Sequence, residues 1–210
     1  MTRHRLHRGL YLITPDEDDG ARLLARSLPL LPYASCLQLR NKVMDAAALR
    51  AAGSRLREAC SDAGVPFIVN DDAALARELD ADGIHLGEHD GSIASARALL
   101  GDDAVVGISC YGDLHRANAA LAAGADYVAF GAFFASPTKP DARRAGIHLL
   151  RESADLGIPR VAIGGITPDN ARPLVAAGAD LLAVISGVFD APDPVAAARA
   201  YLSCFEDETA

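Results

Sequence analysis

Asp71 and Asp90 each follow a short apolar run: Phe67, Ile68 and Val69 in the first case, Gly83 to Leu86 in the second. Runs of this kind, stopped by polar residues, read as buried strands. If the two strands are parallel neighbours joined by a helix over residues 72–79, both ends open onto one face and the two carboxylates approach each other. Carboxylates brought together repel unless a cation sits between them. Magnesium suits such a pair, because one or two carboxylates usually hold it while phosphate oxygens and water fill its other positions. An ordinary alternative stands beside this one, in which Asp71 caps the following helix and Asp90 opens a turn.

The groups that would meet an anion lie at other strand ends. Gln38, Arg40 and Lys42 alternate, so in an extended segment all three point to one side, or else form a solvated charged strand end. Ser136, Thr138 and Lys139 can surround an anion, although Pro-Thr-Lys-Pro is also an ordinary exposed loop. Gly164 and Gly165, and later Ser186 and Gly187, let backbone N–H groups approach a phosphate; a tight strand-to-helix turn selects the same residues. Ser109 adds a hydroxyl at another strand end. Taken together the inventory suits a diphosphate bound with magnesium plus a second, monophosphorylated molecule. No Ser-His-Asp or Cys-His set is evident at the strand ends, which argues against acyl transfer.

The elements that must position these residues recur as strand-like runs followed by helix-like stretches. The strand-like runs are 9–14, 35–40, 67–71, 83–86, 104–109, 126–131, 160–164 and 180–186. Helices are expected over 21–31, from a cap at Asp45 to Ala63, over 72–79 and near 113–123, with further starts at Thr167-Pro168 and Asp193-Pro194. Leu121 to Asp126 and Val175 to Asp180 echo each other, each closing a helix at glycine and entering a strand. Eight units without a linker point to a single-domain (β/α)8 barrel over residues 1–210, with chemistry at the C-terminal ends of its strands. A doubly wound open sheet is the alternative, weakened because no G-x-G-x-x-G follows the first strand.

Composition agrees with helices packed closely on a parallel sheet: 210 residues, half of them hydrophobic, with no Trp. A formal charge of −8 argues against nucleic acid or an anionic membrane as partner, so an anionic substrate needs local cations. The four cysteines have no metal-like spacing, and the run 10–13 is too short for a signal core or a membrane span. Both features point to a cytoplasmic protein with reduced thiols.

The same segments, in the same order, resemble the thiamine phosphate synthase family. They are Leu10 to Thr14, Gln38 to Lys42, Asn70-Asp71, Gly83 to Asp90, Gly107 to Ser109, Pro137 to Lys139, Ile163 to Ile166 and Ala183 to Ser186. The resemblance implies a barrel enzyme that couples 4-amino-5-hydroxymethyl-2-methylpyrimidine diphosphate to 4-methyl-5-(2-hydroxyethyl)thiazole phosphate, releasing pyrophosphate. It implies that Asp71 and Asp90 ligate Mg²⁺, and that Arg40, Lys42, Asn70 and Lys139 hold the diphosphate. Gln38 and Ser109 would touch the pyrimidine diphosphate, and Ser136, Thr138, Gly165 and Ser186 the thiazole phosphate. Arg40, Lys139 and Ser109 are thereby the expected catalytic groups, and both a monomer and a homodimer stay open. Four positions depart from the family's usual pattern: Pro15 for aspartate, Glu88 for glutamine, Tyr111 for histidine and Ser136 for threonine. The rival readings are a thiazole tautomerase on the same barrel, which needs no diphosphate and metal site, and a non-catalytic barrel that binds a thiamine precursor.

Overall fold

The computed structural model describes residues 6–135 and 144–206. Eight parallel strands close into a barrel in chain order: β1 (Gly9–Ile13), β2 (Ala34–Leu39), β3 (Phe67–Asn70), β4 (Gly83–Leu86), β5 (Val105–Tyr111), β6 (Tyr127–Phe130), β7 (Arg160–Ile163) and β8 (Leu181–Val184). Closure is explicit in the pairing of β8 with β1, where Leu182 lies opposite Leu10 and Val184 opposite Leu12. The open-sheet alternative is therefore excluded.

Both faces of these strands are covered, which is why they read as nearly continuous apolar runs. Side-chain alternation divides each run into two shells. Leu10, Leu12, Phe67, Val69, Leu182 and Val184 pack outward against the helices. Tyr11, Ile68, Tyr127, Val161, Leu181 and Ala183 fill the barrel interior.

The helices on the outside are α1 (Gly20–Ser27), α2 (Ala46–Ala63), α3 (Ala73–Glu78), α4 (Ile93–Leu100), α5 (Leu114–Ala122), α6 (His148–Glu152), α7 (Pro168–Ala176), α8 (Ser186–Phe189) and α9 (Pro194–Leu202). Their starts follow the sequence signals: the side chains of Asp45 and Asp193 accept the N–H groups of Ala48 and Ala196, and Thr167 forms a capping box with Asn170. The helix expected over 21–31 stops earlier, at Ser27. Pro29 and Pro32 cannot donate to an α-helical ladder, so Leu28–Tyr33 winds into a tighter 3-10 turn. Gly124 and Gly178 close their helices with positive φ, as the repeated Ala-Gly-Ala-Asp segments lead one to expect.

Three aspartates just before strands hold the N-terminal end of the barrel. Asp82, Asp126 and Asp180 each accept a backbone N–H from the neighbouring strand, those of Phe67, Val106 and Arg160 at 2.8, 2.8 and 2.9 Å. Arg97 also donates to Asp126 at 2.8 Å, and Arg160 Nε to Asp180 at 3.1 Å. All four cysteines are buried and unpaired. Among the described residues no helix is long and apolar enough to cross a membrane.

Candidate active site

A cavity of about 480 Å³ opens at the C-terminal ends of the strands. Its wall includes Gln38, Arg40, Asn70, Ser109, Gly165 and Ser186, so six residues singled out from five different strand ends meet around one space. Asp71 and Asp90 directly follow two wall residues, Asn70 and His89. Ser136, Thr138 and Lys139 lie outside the described residues.

The two carboxyls are neighbours. Burial, then a hydrogen bond to Asp90 and the charge of Asp90, push Asp71 up to about 6. The backbone forces the approach, since Asp71 adopts a left-handed φ of 65° and donates its N–H to the His85 carbonyl at 2.8 Å. Asp90 is turned back by accepting the Gly87 N–H at 2.9 Å, so its part in a turn is real. Capping of α3 falls to the next residue, Asp72, whose side chain accepts from the Leu75 N–H at 2.9 Å. Asp71 is thereby left to face Asp90. A pair in which one carboxyl resists ionisation beside the other is suited to a divalent cation, so these residues fit magnesium. Among the described residues no group of three or more His, Cys, Asp or Glu could hold a metal, so an ion here would take its remaining ligands from water or substrate oxygens.

The basic residues do not alternate as an extended strand would place them. β2 ends at Leu39, and although Gln38 and Arg40 line the cavity, the exposed Lys42 does not. Its charge is nevertheless close enough to favour the ionised form of Asp71. The strand is diverted by Asp16, whose carboxylate takes Arg40 Nη1 at 3.2 and 3.3 Å and the Lys42 N–H at 2.8 Å. Thr14 fastens the same corner by exchanging hydrogen bonds with the Arg40 backbone at 2.7 and 2.9 Å. The acidic residue after the first strand is therefore Asp16, one position beyond Pro15.

Across the cavity the wall is mostly backbone and small side chains. At Gly165, with φ 62°, an added Cβ would lie 2.2 Å from the Ala135 carbonyl oxygen, so the two loops touch through main chain. Tyr201 donates to the Ile166 carbonyl at 2.7 Å and sits against Gly187, tying the β7 and β8 loops together. Beneath them the buried Glu17 receives Arg22 and Arg26, and Arg26 also reaches the Phe189 carbonyl at 2.5 Å. Burial alone would raise the Glu17 carboxyl, but the hydrogen bonds from Arg26 and Arg22 hold it below its usual range.

A profile of the thiamine monophosphate synthase family matches residues 10–188. The chain belongs to the thiamine monophosphate synthase family. It is 61% identical to thiamine-phosphate synthase of Xanthomonas campestris pv. campestris (strain 8004), over 94% of this chain and 96% of that one. The corresponding enzyme of Azoarcus sp. (strain BH72) is 58% identical over 94% of this chain and 97% of its own length. Thiamine phosphate pyrophosphorylase from Pyrococcus furiosus superposes with a TM-score of 0.83 at 33% identity, covering 97% of this chain and 96% of that structure.

In this thiamine monophosphate synthase family member three side chains for which no role was expected, Tyr11, Tyr127 and His85, join two of the wall residues. Gln38 Nε2 donates to Tyr11 Oη at 2.8 Å, and the Tyr11 and Tyr127 hydroxyls are 2.7 Å apart. Tyr127 Oη is 3.0 Å from His85 Nδ1, and His85 Nε2 is 2.8 Å from Ser109 Oγ. The signal was present as polar residues within apolar strands, at the inward positions of β1, β4 and β6, but inward and outward faces are indistinguishable when both are buried. Glu88, His89 and Tyr111 also line the cavity, so two of the four departures from the family pattern face the site.

Proposed function

We propose that this chain makes thiamine phosphate, joining 4-amino-5-hydroxymethyl-2-methylpyrimidine diphosphate to the ring nitrogen of 4-methyl-5-(2-hydroxyethyl)thiazole phosphate with release of pyrophosphate. The observation that carries the reading is the Asp71–Asp90 pair, charge-frustrated alone, beside a cavity walled by Arg40 on one side and Gly165 and Ser186 on the other. Breaking the C–O bond sends its electron pair out with pyrophosphate and leaves a cationic methylene carbon that the aminopyrimidine ring stabilises. The thiazole nitrogen lone pair then forms the C–N bond, so no protein nucleophile is needed.

Magnesium held by Asp71 and Asp90 would supply charge neutralisation to the diphosphate. Arg40, Lys42 and Asn70 take diphosphate oxygens, as does Lys139 on the sequence reading. Gln38 and Ser109 orient the pyrimidine. Gly165 and Ser186 receive the thiazole phosphate, with Ser136 and Thr138 assigned there from sequence. Fixing the thiazole nitrogen against the methylene carbon accounts for much of the remaining rate. The apolar lower wall, Ile13, Ala129, Val161 and Ile163, keeps water from competing for that carbon. A cytoplasmic location and action on small molecules alone belong to the same proposal.

The test is incubation of the full-length protein with both precursors and Mg²⁺, following thiamine phosphate and pyrophosphate. One-to-one appearance of the two products is expected. Turnover of the thiazole phosphate by isomerisation alone, with no pyrophosphate released, would overturn the reading in favour of a tautomerase.

A further inference from the structure

Five side chains form one buried hydrogen-bonded line across the barrel interior: Gln38, Tyr11, Tyr127, His85 and Ser109. Its ends, Gln38 and Ser109, both border the cavity. The line exists because the interior was cleared for it. Gly107 lies between His85 and Tyr127 in the sheet, and a Cβ there would fall 1.9 Å from Tyr127 Cζ. The Tyr127 ring occupies that space, stacked on His85 at 5.6 Å and edge-on to Tyr11 at 5.9 Å.

With the Gln38 amide nitrogen toward Tyr11, counting hydrogens gives the direction of every other bond in the line. Burial raises both tyrosines well above the ordinary phenol range, so each keeps its single hydroxyl hydrogen. Among the described residues Tyr11 meets two polar side-chain atoms, Gln38 Nε2 and Tyr127 Oη. An amide nitrogen cannot accept, so the Tyr11 hydrogen goes to Tyr127. Tyr127 has then accepted from Tyr11, and its own hydrogen goes to His85 Nδ1. The opposite polarity would strand the Tyr11 hydrogen in the interior without an acceptor. With Nδ1 accepting, the imidazole carries its hydrogen on Nε2 and donates it to Ser109 Oγ.

We infer that Tyr11, Tyr127 and His85 are positioning residues which occupy one lone pair of Ser109 Oγ and so turn its hydrogen toward the cavity, favouring a heteroaromatic ring with a lone pair over one with an N–H at that point. The ligand part of this inference rests on the function proposed above. In a 4-aminopyrimidine the ring nitrogens are acceptors. In the 4-hydroxy analogue the favoured oxo form carries a hydrogen on a ring nitrogen and would meet the Ser109 hydrogen head-on. Rejecting an analogue by facing it with a buried group of the wrong polarity gives larger discrimination than shape alone.

Two measurements on the full-length protein test the two halves separately. Nitrogen-15 NMR of the His85 ring reads the polarity of the line whatever the substrate is. The Nε2–H tautomer is expected in the unsubstituted protein. Gln38→Glu, which can only accept from Tyr11, is expected to reverse the line and move the hydrogen to Nδ1. An Nδ1–H tautomer or a doubly protonated ring in the unsubstituted protein would overturn the inference.

The second measurement is competition between the 4-amino and 4-hydroxy pyrimidine diphosphates, comparing Tyr127→Phe with the unsubstituted protein. Preference for the amino compound is expected to be about 100-fold and to fall about tenfold in the variant, with KM for the thiazole phosphate unchanged. Discrimination that survives in Tyr127→Phe, or KM values for both substrates that rise together, would refute the positioning role. Failure of the function proposed above would appear differently, as absence of product from either pyrimidine while the His85 tautomer stayed as inferred.

Discussion

The two ends of the barrel use the same residue type for opposite purposes. At the N-terminal end Asp82, Asp126 and Asp180 each accept a backbone N–H from the adjacent strand, and arginines cover Asp126 and Asp180. At the C-terminal end Asp71 and Asp90 face each other, and Asp71 is forced into a left-handed backbone conformation to do so. A carboxylate matched by donors stabilises the fold, whereas a carboxylate matched by another carboxylate destabilises it until something cationic arrives. The residue type does not separate these roles; the partner supplied by the neighbouring strand does.

The sharpest break of this contrast comes at the C-terminal end. Asp71→Ala or Asp90→Ala is expected to lower kcat/KM for thiamine phosphate formation about 10³-fold while the barrel stays folded. Retention of EDTA-insensitive activity in both variants would remove the metal role. Arg40→Ala is expected to weaken binding of the pyrimidine diphosphate about 10²-fold and to leave thiazole phosphate binding nearly unchanged. Isothermal titration with each substrate in turn checks this, and equal losses for both would contradict the assignment of Arg40 to the diphosphate.

At the N-terminal end the expected effect is on stability. Asp126→Ala removes the acceptor for the Val106 N–H and for Arg97, and is expected to cost about 2 kcal/mol in denaturant unfolding. Turnover per folded molecule should not change. A loss of turnover with stability intact would mean that the two ends are not separable in this way.

The smallest effect is the most diagnostic in sign. The folded-state value of Asp71 is raised to about 6 by burial and Asp90, so ionising it opposes folding. The metal-free protein should therefore lose stability as pH rises from the ordinary aspartate range through 6. Asp71→Asn keeps the shape and lacks that charge. In EDTA it is expected to be more stable than the unsubstituted protein by about 1 kcal/mol at pH 8, solvent screening of the partly exposed pair being included. The difference should vanish near pH 4. Thermal melts across that range measure it, and Asp71→Asn proving less stable at pH 8 would show that the pair is not frustrated.

Much of the barrel was legible in the chain. Strands buried on both faces produce apolar runs, and the caps at Asp45, Thr167 and Asp193 are local chemistry needing only their own turn. The first helix was overextended because its apolar spacing continues to Leu31, while Pro29 and Pro32 remove the donors an α-helix needs. The site was legible as a set of polar strand ends, since a closed parallel barrel sends all of them to one face. The expected alternation breaks before Lys42 for a tertiary reason: Asp16, on a different strand end, bends the chain after Leu39.

The sequence by itself determined the succession of strands and helices along the chain, the strand ends that carry the chemistry and the types of group available there, because these follow from side-chain period and from residues a few positions apart. The structure alone decided which groups meet. Only closure brings Tyr11 within 2.7 Å of Tyr127 across the interior, and only the β3–β4 pairing turns Asp71 toward Asp90 while Asp72 takes the cap. Hydrogen-bond polarity and charge frustration belong to pairs of atoms, and the pairs that matter here lie on different strands.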